Sequence, residues 1–389
     1  MRKRAQQAAV IFAMFTILAF LGLAATASSA LPKSPRAAAS VPSVLLKNAA
    51  APNTLMPATG AGSGGYTGNA SQGYGDYPEC FNGCEDAQCA VPDSPGFSSC
   101  AEYVDASMST WMQLGGTRLD NSNSYHNQFY VAKAMRGSGL PREQLFLTSK
   151  VGPYLPLGYA DAKAQFETTR NVTGLAYVDL LLIHWPVCIV EGCESQDPAC
   201  DYKAASYNAS ECRLQTWRAL VEIFNGGGAR AIGVSNYNTS HLDEIIAAGL
   251  PLPSVNQVPF NIWHSADAQS GGLLDYCKAH SIVYNGYSPF AVPDRRVYPA
   301  PFPKTMLEDA ALVQIAAAHQ RSAAEVALAW QWQLGIVVNP RSQNAAHQWC
   351  VRAAIAAPPP PSPPLSPLPP SRAGKTLTFL TLCSLTLRW

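Results

Sequence analysis

An alternation constrains this chain more than any single motif. Short apolar runs of strand length are separated by longer stretches whose apolar residues recur at helical spacing. Strand candidates are "TRLDNS", "LFLTSKV", "VDLLLIHW", "ARAIGVSN", "PSVNQVPF", "SIVYNGYSP" and "GIVVNPRS", with "LMPATGAG" a weaker eighth. Between them lie "QFYVAKAMRGSG", "WRALVEIFNGGG", "HLDEIIAAG", "GGLLDYCKAH" and the long "LEDAALVQIAAAHQRSAAEVALAWQWQL". Strands that are apolar on both faces need cover on both faces, and strands joined through helices pair in parallel. Eight such units predict an α/β fold, a (β/α)8 TIM barrel, rather than an open doubly wound sheet.

The barrel is expected over residues 44–356, with two cysteine-rich insertions. Cys80, Cys84, Cys89 and Cys100 form one cluster, and Cys188, Cys193, Cys200 and Cys212 the other. Each reads as a disulfide-stapled loop with three possible pairings. Zinc is the competing reading, but neither cluster has paired CxxC spacing. Sequons at Asn69, Asn171, Asn208 and Asn238 suit a glycosylated surface.

The ends of the chain are not barrel. "MRKR" followed by an apolar run and "ATASSA" makes residues 1–30 a signal peptide, cleaved after Ala27 or Ala30. The alternative is an uncleaved signal anchor through residues 8–25, and a membrane partner is expected only then. Residues 31–43 read as a linker. Residues 357–389 begin with a polyproline run that is extended and disordered, then end in an apolar segment that fits a lipid-anchor signal poorly. The expected location is the secretory pathway, either the ER lumen or the extracellular space. A net charge of +1 without basic stripes argues against nucleic acid as a partner. The oligomeric state is not legible beyond a preference for a monomer.

In a (β/α)8 barrel, reactive side chains collect at the carboxy-terminal ends of strands. Asp120 and Tyr125 follow "TRL", Lys150 ends "LFLTSK" and His184 ends "LLLIH". Alone, such an Asp is a turn former, such a Lys is solvated and such a His is structural. Together they suit proton transfer to a carbonyl oxygen. A tyrosine, with a pKa near ~10, is a poor acid at neutral pH until a lysine ammonium stabilises its phenolate. Asp120 would hold that lysine charged, and His184 would donate a hydrogen bond to the substrate oxygen. No paired carboxylates at strand ends suggest a glycosidase.

Several of these segments resemble signatures of the aldo-keto reductases: "LLLIHWP", "RAIGVSNYN", "VNQVPFN", "YSPF", and the run from "DNSNSYHNQ" to "LFLTSK". The segment "VLLKNAAAPNTLMPATGAG" is similar to the family's opening hairpin and first strand. The resemblance implies an NADP(H)-dependent oxidoreductase that interconverts small-molecule carbonyls and alcohols, with no Rossmann fingerprint. It implies Tyr125 as general acid, Lys150 and Asp120 as its tuning partners and His184 as the orienting imidazole. Ser235, Asn236 and Gln257 match residues that hydrogen-bond the nicotinamide amide, and Tyr287 matches the ring that stacks on it. Arg341 and Ser342 match the grip on the adenosine phosphate, with Asn344 a looser match. The pattern departs beyond that point: His347 can fill one expected place, but Cys350 and Val351 replace a Glu-Asn pair. The alternative reading is therefore a secreted or wall-associated barrel without turnover, serving binding or structural ends. If the enzyme reading holds, the stapled loops are expected to overhang the active-site mouth and restrict substrate entry.

Overall fold

The apolar runs become strands because both of their faces are buried. The computed structural model describes residues 41–47, 49, 54–64, 100–152, 154–188, 191–263, 265, 272–290, 306–342 and 344–355. The signal, most of the linker, the first cysteine cluster, Asn69 and the proline-rich tail lie outside those residues, as does the side chain of Cys100. A hairpin comes first: β1 (Ser43–Leu45) and β2 (Leu55–Pro57) are antiparallel, with Val44 opposite Met56. The segment "LMPATGAG" therefore divides between β2 and the first barrel strand, β3 (Ala61–Gly62).

The remaining strands are β4 (Arg118–Asp120), β5 (Phe146–Val151), β6 (Leu180–Ile183) and β7 (Ile232–Ser235). They are followed by β8 (Val255–Pro259), β9 (Val283–Tyr287) and β10 (Val337–Asn339). From β3 to β10 each strand pairs in parallel with the next. Backbone bonds close the circle: Val338 N donates to Ala58 O at 3.0 Å, Gly60 N to Val338 O at 3.3 Å and Gly62 N to Pro340 O at 3.0 Å. The expected (β/α)8 barrel is what forms.

The outward faces bury Leu119, Leu147, Val151, Leu181, Ile183 and Val234 against the surrounding helices. Burying each such side chain contributes about 1.5–3 kcal/mol. The helices are α1 (Cys100–Gln113), α2 (Gln128–Gly137), α3 (Tyr159–Thr173), α4 (Ala209–Asn225) and α5 (Thr239–Ala247). After them come α6 (Leu273–Ala279), α7 (Ala310–Ala318), α8 (Ala323–Gln333) and α9 (Ala345–Ile355). The long stretch expected from "LEDAALVQ" onward splits into α7 and α8. Gln320 takes φ 52°, which ends the first helix, and Ser322 with Glu325 forms a capping box that starts the second.

The loop after β6 is stapled by Cys188–Cys193 and Cys200–Cys212, one of its three possible pairings. It packs on the first turn of α3, where Ser195 Oγ donates to Asp161 Oδ2 at 2.5 Å. The exposed sequon residues Asn208 and Asn238 cap α4 and α5, each through its Oδ1.

Candidate active site

In a strand, alternate residues share a face, and neighbours in parallel register point the same way. Arg118 and Asp120 therefore face one side of β4. The registers Asp120–Thr148, Ser235–Gln257 and Gln257–Asn285 carry that side around the wall. It is the barrel interior, because a Cβ on Gly60 would stand 2.9 Å from Arg118 Cγ. Polar side chains line this interior and are closed to water: Asp120, Lys150, Ser235, Gln257 and Asn285 are all buried.

Asp120 and Lys150 form a buried ion pair through Oδ1 and Nζ. Lys150 Nζ also donates to Asn121 O at 2.9 Å, and Gln257 Nε2 donates to Asp120 Oδ2 at 2.8 Å. Burial pushes the Lys150 ammonium down from its ordinary value, Asp120 pulls it back up and the Arg118 charge pushes it down again. Just beyond β4 the chain makes a 3-10 turn, Asn123–Tyr125, which swings the phenol back over the strand ends. The Tyr125 ring centroid lies 5.0 Å from Lys150 Nζ. A Cβ on Gly64 would stand 2.7 Å from Tyr125 Cζ, so only glycine lets the phenol rest there.

His184 ends β6 and faces the same phenol, with Tyr125 Oη 3.3 Å from its Nε2. Its Nδ1 lies 3.0 Å from the Gly152 carbonyl oxygen and 3.0 Å from Ser122 Oγ. A carbonyl oxygen only accepts, so the proton sits on Nδ1 and Nε2 accepts from Tyr125. Burial, then the nearby Lys150 charge, holds the imidazole well below its usual range and therefore neutral. In the resting site His184 Nε2 accepts from Tyr125 Oη and so orients the phenol.

The same imidazole has a consequence for stability. Near pH 6.5 the unfolded chain takes up a proton at His184 that the folded chain refuses, so acid favours unfolding. Between pH 6.5 and 5.5 this group alone is expected to cost about 1 kcal/mol. Urea melts across that window should show His184→Asn losing less stability than the wild type by roughly that amount; parallel losses would refute the burial of a neutral imidazole.

The expected cofactor residues fall into two groups. Tyr287 Oη donates to Asn236 Oδ1 at 2.9 Å, and Asn236 Nδ2 donates to His184 O at 2.9 Å and Ser235 Oγ at 3.1 Å. Asn236 turns back this way because it takes φ 61°, a conformation asparagine tolerates better than most residues. Gln257 spends one amide proton on Asp120, so it stands nearer the ion pair than a purely ligand-facing role implies. Arg341 and Ser342 lie apart, beyond β10. The exposed Arg341 donates from Nη1 to Gly64 O at 3.0 Å, and the Ser342 carbonyl accepts from Ser107 Oγ at 3.0 Å.

Sequence reasoning missed Arg118, Asn121, Gly152, Asn285 and Gly64. Arg118 and Asn285 did leave a signal, because each stands two residues before an expected site residue on the same strand. The backbone carbonyls of Asn121 and Gly152 left none.

Fold and site together define a (β/α)8-barrel protein whose polar chemistry gathers on the carboxy-terminal face. The chain belongs to the aldo/keto reductase family, whose model matches residues 95–354. It is 34% identical to morphine 6-dehydrogenase of Pseudomonas putida over 250 residues, 64% of this chain and 76% of that one. Glyoxal reductase of Bacillus subtilis is 35% identical over 228 residues, 59% of this chain and 69% of its own. A Bombyx mori aldo-keto reductase in complex with NADP shares the fold with a TM-score of 0.60. It is 21% identical, across 81% of this chain and 87% of its own.

Proposed function

We propose that the protein is an NADP(H)-dependent reductase of small-molecule aldehydes or ketones. The observation that carries this reading is the meeting of Tyr125, Lys150, Asp120 and His184 at adjoining strand ends. Membership of an oxidoreductase family and similarity to proteins named as a dehydrogenase and a reductase support it.

The residues present suit the cofactor. Tyr287 offers a half-buried aromatic face, Ser235 a hydroxyl, Gln257 a carbonyl oxygen and Arg341 an exposed guanidinium able to grip a phosphate bidentately. Asn339 Oδ1, buried without a hydrogen-bond partner beside Gly62, adds an acceptor that a ligand amide would satisfy. When bound, NADPH supplies hydride to the carbonyl carbon.

The chain's own residues handle the proton. Tyr125 holds one hydroxyl proton and, at rest, shares it with His184 Nε2. A carbonyl oxygen entering the site takes over that hydrogen bond and receives the proton as charge develops on it. The phenolate left behind faces the Lys150 ammonium, which Asp120 and the Asn121 carbonyl hold in place. Burial of the pair strengthens the attraction over what water would allow. The decisive experiment is a fluorescence titration of the purified protein with NADPH and with NADH. Saturable quenching by NADPH is expected; failure to bind either nucleotide would overturn the reductase reading and favour a barrel without turnover.

A further inference from the structure

The interior of the barrel carries one more charge than the proposed chemistry uses. Among the described residues, the buried charged side chains are Arg118, Asp120, Lys150, Asp179, Arg213 and Arg352. Asp179 is shared between Arg142 and Arg230, and Arg213 pairs with Glu244. Arg352 belongs to α9, next to Gly115. That leaves two cations, Arg118 and Lys150, and one carboxylate, Asp120, inside the barrel wall.

A continuous set of hydrogen bonds joins them. Arg118 Nη1 donates to Pro57 O at 3.3 Å, which anchors the guanidinium to the amino-terminal hairpin. With the Asn285 amide oriented by its neighbours, its nitrogen donates to Val337 O at 3.1 Å. Its oxygen then accepts from Arg118 Nη2 at 2.7 Å and from Gln257 Nε2 at 2.8 Å. The same Gln257 nitrogen donates to Asp120 Oδ2, and Asp120 pairs with Lys150. Both protons of the Gln257 amide are thereby spent, and Arg118 reaches the ion pair through two neutral amides. Arg118 Nε has no partner, and Gly60 leaves the space its side chain needs. Burial pushes the guanidinium down only to about 10, so it keeps its charge at neutral pH.

We propose that Arg118 is a positioning residue that sets the proton affinity of the Lys150–Tyr125 pair from one layer below it. Its positive charge disfavours a second ammonium at Lys150 and favours a phenolate at Tyr125. The amides of Asn285 and Gln257 fix the face that Asp120 presents to Lys150. The groups facing the pair are Arg118 and Asp120 from β4, the neutral His184 from β6, Gln257 from β8 and Asn285 with Tyr287 from β9. Arg118 is the only charge among them that the reaction does not consume or pair directly. The inference rests on the reductase reading for its kinetic readout but not for its titration.

The test compares Arg118→Met, Arg118→Lys and Asn285→Asp. Removing the charge, or neutralising it in place with a carboxylate at 285, should move the basic limb of the kcat profile upward. The expected shift is about half a pH unit or more. Arg118→Lys, which keeps charge and loses the planar fork, should stay near the wild-type limb. Carbon-13 NMR of lysine-labelled protein without cofactor, with Lys150 assigned by Lys150→Met, should show the same upward movement. If Arg118→Met does not fold, Asn285→Asp decides. An unmoved limb and an unmoved Lys150 titration in a folded charge-neutralised variant would overturn the proposal. A shifted Lys150 titration in a protein that never turns over would count against the reductase reading alone.

Discussion

Tyr125→Phe is expected to lower kcat for carbonyl reduction by about 10²–10⁴-fold, the usual contribution of a positioned acid. NADPH affinity should stay near wild type, because the hydroxyl that is lost meets His184 Nε2 and the ring that stays faces Lys150. The ring still packs against Gly64 and edge-on to the imidazole, with centroids 5.4 Å apart. The loss should therefore appear in turnover and not in folding. Stopped-flow reduction beside a nucleotide titration checks both halves. Turnover within a few-fold of wild type would mean that another group delivers the proton, and the acid assignment would fall.

Asp120→Asn should destabilise the barrel strongly without changing its packing volume. The wild type balances one carboxylate against Lys150 and Arg118, all three closed to solvent. Removing the negative charge leaves two buried cations without compensation, a situation that typically costs about 3–5 kcal/mol. The isosteric amide still accepts from Gln257, so lost shape is not the cause. A control is at hand in the exposed pair between Arg170 and Glu167 on α3, where Glu167→Gln should cost about 1 kcal/mol or less. Chemical denaturation of both variants checks the contrast. An Asp120→Asn midpoint shifted no further than the Glu167→Gln one would show that the interior is wet.

Much of this was legible from the chain because strand position and side-chain face are local properties. The run Leu180–Ile183 could only be a strand buried on both sides, so His184 had to stand at its open end. The same logic placed Asp120, Tyr125 and Lys150 together. What stayed hidden depends on partners distant in sequence. The tautomer of His184 is set by the Gly152 carbonyl, 32 residues away. Gln257 reads as a ligand-facing amide until Asp120, 137 residues away, claims one of its protons. The division of the long helical stretch at Gln320 was signalled by Ser322 and Glu325, a capping pair that apolar periodicity alone does not weigh.

The closure of the barrel sets the order in which the chain can be finished. Its seam joins residues 58–62 to 338–340 by a few backbone bonds, so the first strand waits unpaired on one side until nearly the whole domain has been synthesised. Contacts that distant are the slowest to form, and an open strand edge invites wrong pairing meanwhile. The two disulfides of the β6–α4 loop span separations of only 5 and 12 residues. They can lock as soon as that loop emerges, in a half-built barrel, without constraining how the two distant edges later find each other. Cross-linking of that loop therefore need not wait for the ring to close.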